Sequence, residues 1–95
     1  MPFPEQSPRQ FTRQGIESLN PNQYGCYGIY RPGQWIYVGM GDIRERLLDH
    51  LNGRGNPHIH AQRPTHFVAV VTNNAESMEK TLIAELRPVC NMRVG

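Results

Sequence analysis

Cysteine is scarce in this chain, and long apolar runs are missing. The two cysteines, Cys26 and Cys90, lie far apart and match no zinc-binding spacing, so we expect neither a disulfide-stapled nor a zinc-ribbon fold. Residues 1–13 contain no apolar run as long as a signal peptide or a membrane span. We therefore expect a cytoplasmic protein with reduced cysteines and no membrane partner.

A strong charge of either sign is also missing. The formal net charge is +2 and the pI is near 8.8, which permits nucleic-acid binding without requiring it. A length of 95 residues makes one domain with a modest core. We predict a partly flexible extension over residues 1–23, with a short helix from Ser7 toward Leu19, and a folded domain over residues 24–93.

What the chain does contain first is a β-hairpin pattern. Residues 26–30 and 35–38 are rich in aromatic and β-branched side chains, as strands are. Between them, Pro32 fixes its own φ and Gly33 is free to adopt a positive φ, which predicts a tight turn.

The register of this hairpin decides where its tyrosines lie. If Pro32 and Gly33 form the loop, Tyr30 pairs with Trp35 and Gly28 pairs with Tyr37. Tyr30 and Tyr37 then share one face, and Gly28 leaves room for a ring or a ligand. A three-residue loop would instead move one tyrosine to the other face.

A helix is predicted to follow Gly39. Asp42 is suited to cap it, with Glu45 three residues later as in a capping box. Arg46 and His50 are four residues apart and share one helix face. This face borders the apolar stripe formed by Ile43, Leu47 and Leu51.

A strand over residues 66–71 and a second helix complete the predicted elements. Asn73 is the predicted cap, and the buried seam consists of Met78, Leu82 and Leu86. Glu79 falls inside the apolar arc of this helix, where a carboxylate is costly unless it is paired or binds a metal. A salt bridge to a core-facing arginine is the structural alternative for Glu79.

Several of these residues together match the chemistry of a metal-assisted phosphodiesterase. Alone, His50 reads as a satisfied half-buried histidine and Arg46 as part of a solvated helix face. As a set they supply a base, a phosphate-binding cation and a metal-binding carboxylate. The set is Tyr30, Tyr37, Arg46, His50 and Glu79.

The order and spacing of these motifs resemble the GIY-YIG nuclease family. Gly28-Ile29-Tyr30 and Tyr37-Val38-Gly39 resemble its two name-giving motifs, and the stretch from Glu79 to Asn91 resembles its C-terminal signature. The segment before Arg46 is one residue shorter than in similar members, so Arg44 and Arg46 both match the family arginine. The four-residue step to His50 favours Arg46.

The resemblance implies an α/β domain of the α+β type, with a three-stranded antiparallel sheet flanked by helices, that hydrolyses DNA phosphodiester bonds. It implies that Tyr30 is the general base, helped by His50 or by the metal, and that Arg46 stabilises the transition state. Glu79 would hold one divalent cation, Mg²⁺ or a substitute such as Mn²⁺. Tyr37 would position the phosphate or the water. Asn91, with Gly28 and Gly39, would support the site from behind.

The connection over residues 52–65 is basic and contains no acidic residue. A loop that holds an anionic backbone has this composition, but so do many ordinary polar loops. We predict DNA backbone contacts for Arg44, Arg54 and Arg63. His58 and His60 have no third ligand nearby in the sequence and are predicted to lie on the surface.

The leading hypothesis is a stand-alone, metal-dependent DNA endonuclease. The alternative is a catalytically silent nucleic-acid-binding module with the same fold. Because the chain is short, its specificity is expected to come from its own loops, from a homodimer or from a partner protein.

Overall fold

An antiparallel sheet of four strands organises this chain. The computed structural model describes residue 3 and residues 6–91. Its strands are β1 (Arg9–Gln10), β2 (Tyr24–Arg31), β3 (Gln34–Asp42) and β4 (His66–Val71), in the order β1-β4-β2-β3 across the sheet. Its helices are α1 (Arg13–Glu17), α2 (Ile43–Leu51), α3 (His58–Ala61) and α4 (Ala75–Leu86). The predicted small α+β fold is confirmed at this level.

The prediction of three strands is wrong, because the N-terminal extension adds a fourth. Arg9 pairs with Phe67 and Gln10 with His66, and the Phe11 amide then donates to the Thr65 carbonyl. Phe11 and Ile16, both from the predicted flexible extension, are buried in the core. Two residues are too few to show the alternation that identifies a strand in a sequence.

Each face of the sheet carries its own core. One face packs against α1, α2 and α3 through buried residues that include Ile16, Leu47 and Ile59. The other packs against α4, whose predicted seam of Met78, Leu82 and Leu86 lies in this second cluster. Because successive strand residues alternate between faces, the register of β2 and β3 decides which side chains meet α2.

The helix starts follow the polar residues before them. The Asp42 carboxylate accepts a hydrogen bond from the Glu45 amide, 3.2 Å, so the predicted cap of α2 is confirmed. For α4 the capping position is Asn74, one residue after the predicted Asn73. The Asn74 side chain makes no capping bond. The backbone amide of Asn74 donates to the Thr72 hydroxyl.

The basic connection contains the short helix α3, which the sequence pattern did not predict. Ile59 of α3 is fully buried, whereas His58 and His60 are exposed as expected. Within residue 3 and residues 6–91, no helix has both the length and the apolar character needed to cross a membrane.

Candidate active site

A β-bulge in the hairpin sets the positions of the tyrosines. Tyr30 pairs with Trp35 as predicted, but the register shifts between Ile29 and Tyr30, so Ile29 pairs with Tyr37. Ile36 is the extra residue, and Ile36 and Tyr37 both belong to the core on the α2 face. A bulge of this kind places two residues of one strand opposite one residue of the other.

The predicted shared face for Tyr30 and Tyr37 is therefore wrong. Tyr37 lies on the α2 face, whereas Tyr30 packs into the core on the α4 face. Gly28 pairs with Val38 rather than Tyr37, and the space above Gly28 is filled by Trp35 and Phe3. The inserted residue reverses the parity of every pairing beyond it, which is the physical reason for the difference.

The tyrosine that accompanies Tyr37 is Tyr27, three residues before Tyr30. The Tyr27 Oη atom lies 2.9 Å from His50 Nε2 in a buried hydrogen bond. The Tyr37 ring centroid lies 6.3 Å from that of Tyr27 and 4.9 Å from that of His50. Gly39 is required here, because a Cβ at that position would overlap the Tyr27 phenol.

Arg46 is the arginine that reaches this group. Its positive charge acts on the Tyr27 phenol, and its aliphatic part lies beside Gly41, where a Cβ would stand 3.2 Å from Arg46 Cγ. Arg44 instead lines a separate cavity beside Asp42, and its Nε atom is buried without a partner. The structure thus favours Arg46 for the position that the sequence left open between the two. We call Tyr27, Tyr37, Arg46 and His50 the phenol cluster.

Burial and charge act in opposite directions on Tyr27. Burial raises the pKa of the Tyr27 phenol well above its usual value, and the Tyr37 and Glu79 charges add to this rise. The positive charge of Arg46 lowers the same pKa. Ionisation of Tyr27 therefore depends on the cations that surround it.

His50 is held in its neutral form. Burial lowers the pKa of the imidazole to about 4, the positive charges of Arg46 and His60 add to the effect, and Asp49 opposes it. Only 3% of the residue is exposed. Near neutral pH, His50 thus carries a single ring proton and acts as one donor and one acceptor.

Glu79 contributes a negative charge from α4. Its charge raises the pKa of both Tyr27 and Tyr37, which places it within electrostatic range of the phenol cluster. Burial and then Glu76 raise the pKa of the Glu79 carboxyl, and Lys80 opposes them. In the part of the chain that the structure describes, Glu79 forms no ion pair, so the alternative of a salt bridge is not realised.

Asn91 fastens the strand that carries Tyr37. Its Oδ1 atom accepts from the Val38 amide at 2.6 Å, and its Nδ2 atom donates to the Val38 carbonyl at 2.9 Å. The Val89 and Cys90 amides also bond to carbonyls of β3. Asn91 thus holds β3 at the residue after Tyr37, and its supporting role in the site stays a prediction.

Among residue 3 and residues 6–91, no hydrogen bond, ion pair or ring contact joins Arg44, Arg54 or Arg63 to the phenol cluster. Arg54 and Arg63 are exposed at opposite ends of the connection that contains α3. The main residue that sequence reasoning missed is Tyr27. It lies in the same strand as Tyr30 but at odd spacing from it, and only recognition of the bulge could have selected it.

Comparisons with family models, with curated proteins and with solved structures found no match. The similarity to GIY-YIG nucleases thus rests on the sequence motifs of this chain alone.

Proposed function

We propose that this protein is a metal-dependent endonuclease that hydrolyses phosphodiester bonds in DNA. The observation that supports this most is the Tyr27 phenol, held by the His50 hydrogen bond beside the guanidinium of Arg46 and within range of the Glu79 charge. Such a group offers a proton acceptor and a phosphate-binding cation, with a carboxylate close enough to change the pKa of the acceptor.

Tyr27 takes the role of general base that the sequence assigned to Tyr30. The ionised Tyr27 oxygen accepts a proton from a water molecule, whose oxygen bonds to phosphorus while one ester P–O bond breaks. The departing oxygen takes a proton from solvent. Arg46 donates to the phosphate oxygens, where negative charge accumulates, and its planar fork matches their geometry. Tyr37 positions the phosphate or the water from the neighbouring strand.

Glu79 is suited to hold a divalent cation. Its carboxylate is half-buried, is destabilised by burial and by Glu76, and has no ion-pair partner among the described residues, so a bound cation would stabilise its charged form. The described residues contain no cluster of three acidic, histidine or cysteine side chains, which argues against an all-protein metal cage. Mg²⁺ fits a single carboxylate because it retains several waters. When bound, Mg²⁺ or Mn²⁺ supplies positive charge that stabilises the phosphorane-like transition state.

The charge of Glu79 also acts on the proposed base, Tyr27. The negative charge of Glu79 raises the pKa of Tyr27, so neutralisation of that carboxylate makes Tyr27 easier to ionise. The positive charge of Arg46 likewise lowers the pKa of Tyr27. Arg54 and Arg63, both exposed, are the proposed contacts to the DNA backbone outside the site.

One observation favours the alternative of a silent nucleic-acid-binding module. Only 1% of Tyr27 is exposed, and burial raises its pKa, as expected of a structural tyrosine hydrogen-bonded to a histidine. In that case the phenol cluster would hold α2 against the sheet and perform no proton transfer. The two proposals differ in whether the protein cleaves DNA at all.

Cleavage assays on matched variants distinguish the two. Purified protein is incubated with supercoiled plasmid and with a branched junction, in Mg²⁺, in Mn²⁺ and in chelator. We expect cleavage only with metal, and Glu79→Gln to abolish it without loss of DNA binding, because glutamine keeps the volume but loses the anionic ligand. Glu85→Gln is the control, since Glu85 is an exposed carboxylate of the same helix.

Binding without cleavage in every condition would support the silent module. An active Glu79→Gln protein would remove Glu79 as the metal ligand.

A further inference from the structure

The direction of the hydrogen bond between Tyr27 and His50 depends on which nitrogen of the imidazole carries the proton. The Nε2 atom of His50 lies 2.9 Å from Tyr27 Oη, and either atom can be the donor. The Nδ1 atom is buried and has no hydrogen-bond partner. A neutral imidazole carries its proton on one of these nitrogens, so the surroundings of Nδ1 decide what Nε2 does.

Gly55 forms those surroundings. A Cβ built on Gly55 would overlap His50 Nδ1, so the Cα–H bond in that direction points at this nitrogen. The loop is folded back onto the end of α2 by two bonds, from the Gly53 amide to the His50 carbonyl and from the Arg54 amide to the Asp49 carbonyl. Gly55 does not have a positive φ, so contact with His50 and not backbone strain excludes a side chain there.

The contact has a chemical consequence. A hydrogen on Nδ1 would compete for the space that the Gly55 Cα–H already occupies, and it would be a buried donor without an acceptor. A lone pair on Nδ1 instead accepts a weak Cα–H contact, of the kind found with carbonyl oxygens. The close approach of Gly55 therefore favours the tautomer with the proton on Nε2.

We propose that Gly55 is a positioning residue that holds His50 in the Nε2-protonated tautomer, so that His50 donates its hydrogen bond to Tyr27 Oη. The Tyr27 oxygen then accepts a hydrogen bond from His50 within range of the positive charge of Arg46. A donor and a nearby positive charge stabilise a phenolate, and a donor at this oxygen disfavours a phenol that must itself donate to His50. His50 thus assists Tyr27 by donation and does not receive its proton.

The catalytic meaning of this tautomer rests on the proposed nuclease function, but the tautomer itself does not. It is measured by ¹⁵N NMR of the imidazole near neutral pH, which distinguishes a protonated from an unprotonated ring nitrogen. We expect a protonated Nε2 and an unprotonated Nδ1, both in the unaltered protein and in Glu79→Gln. A proton on Nδ1 would overturn the proposal, whether or not the protein cleaves DNA.

The role of Gly55 is tested against a second glycine of the same loop. Gly55→Ala should shift the His50 ring-nitrogen signals and lower any cleavage rate at least tenfold. Gly53→Ala should leave the His50 signals unchanged, because nothing lies within 4 Å of a Cβ at Gly53, although its φ of +79° makes the substitution strained. Unchanged His50 signals in a folded Gly55→Ala protein would contradict the role of Gly55. If Gly55→Ala does not fold, the spectrum of the unaltered protein still decides the tautomer.

Discussion

The two faces of the sheet carry similar side chains with different chemistry. On the α2 face, the phenol cluster includes two tyrosines and a histidine. On the α4 face, an aromatic row consists of Phe3, Trp35, Tyr30 and His66, with centroid distances of 5.7, 5.0 and 5.8 Å between successive rings. Burial is the sole cause that raises the pKa of Tyr30, whereas the pKa of Tyr27 also responds to Arg46, Tyr37 and Glu79.

The difference shows that residue type alone does not identify which tyrosine is coupled to charged groups. The aromatic row stabilises the fold through ring contacts, because its members touch one another and the apolar core under α4. The phenol cluster couples its rings to charged groups through a buried hydrogen bond and an arginine. Placement on one face or the other therefore decides which tyrosine is coupled to charged groups, and under the proposed function this makes Tyr27 the proton acceptor.

The largest expected effect separates Tyr27 from Tyr30. Tyr27→Phe should lower the cleavage rate by about 10²–10⁴-fold, the usual contribution of a general base. Tyr30→Phe should leave the rate within about twofold, because Tyr30 lies on the α4 face. The measurement is the rate of plasmid cleavage at saturating metal. Equal losses in the two variants would mean that the comparison of faces does not separate catalysis from packing.

The next effect separates Arg46 from Arg44. Arg46→Ala should lower the rate by ~10²–10³-fold, as loss of a donor to a developing oxyanion does. Arg44→Ala should change it far less, since Arg44 lies in a separate cavity beside Asp42. Single-turnover rates of both variants, with DNA affinity measured in parallel, test this. A larger loss for Arg44→Ala would transfer the phosphate-binding role to that residue.

A third effect concerns the buried histidine and pH. The folded-state pKa of His50 is lowered to about 4, so between the ordinary histidine value and pH 4 the unfolded chain binds more protons than the folded protein. Stability should therefore be complete near neutral pH and fall as the pH drops toward 4, by up to about 3 kcal/mol from His50 alone.

Denaturant unfolding at several pH values measures this loss, with His50→Gln as the control that cannot take up the proton. The difference between the two proteins isolates His50 from the carboxyl groups. An identical pH dependence in both proteins would show that the pKa of His50 is the same in the folded and the unfolded protein.

The smallest effect belongs to the aromatic row. Trp35→Ala should lower the free energy of unfolding by about 2 kcal/mol, less than for a fully buried ring because Trp35 is only partly buried. The cleavage rate per folded molecule should not change. Unfolding and active-site titration together give both quantities. A lower cleavage rate in a fully folded Trp35→Ala protein would show that the aromatic row contributes to cleavage.

Local patterns predicted much of the fold. The turn at Pro32 and Gly33, the Asp42 cap and the seam of α4 each rest on neighbouring residues, and the structure confirms them. The two-residue strand β1 was not predictable in this way. It exists because Phe11 and Ile16 are buried elsewhere in the fold and bring the chain beside β4.

The candidate site was predicted only in part, because some of its contacts lie within one helix and others join distant parts of the chain. Arg46 and His50 are one helix turn apart, so their proximity follows from the sequence. The resemblance of Gly28-Ile29-Tyr30 to a family motif indicated Tyr30. The proximity of Tyr27 to Tyr37 depends on the register beyond one inserted residue, which no local preference fixes. The contact of Gly55 with His50 depends on how the loop folds back, and glycine alone does not reveal it.

The carboxamide of Asn91 has a consequence for assembly. An edge strand offers unpaired amides and carbonyls to other chains, and β3 is an edge of this sheet. At Val38 both backbone groups are already taken by Asn91, as a neighbouring strand would take them. A second copy of this protein cannot extend the sheet at Val38 without first displacing Asn91. Asn91 thus acts as a side-chain stopper against strand addition beside the phenol cluster.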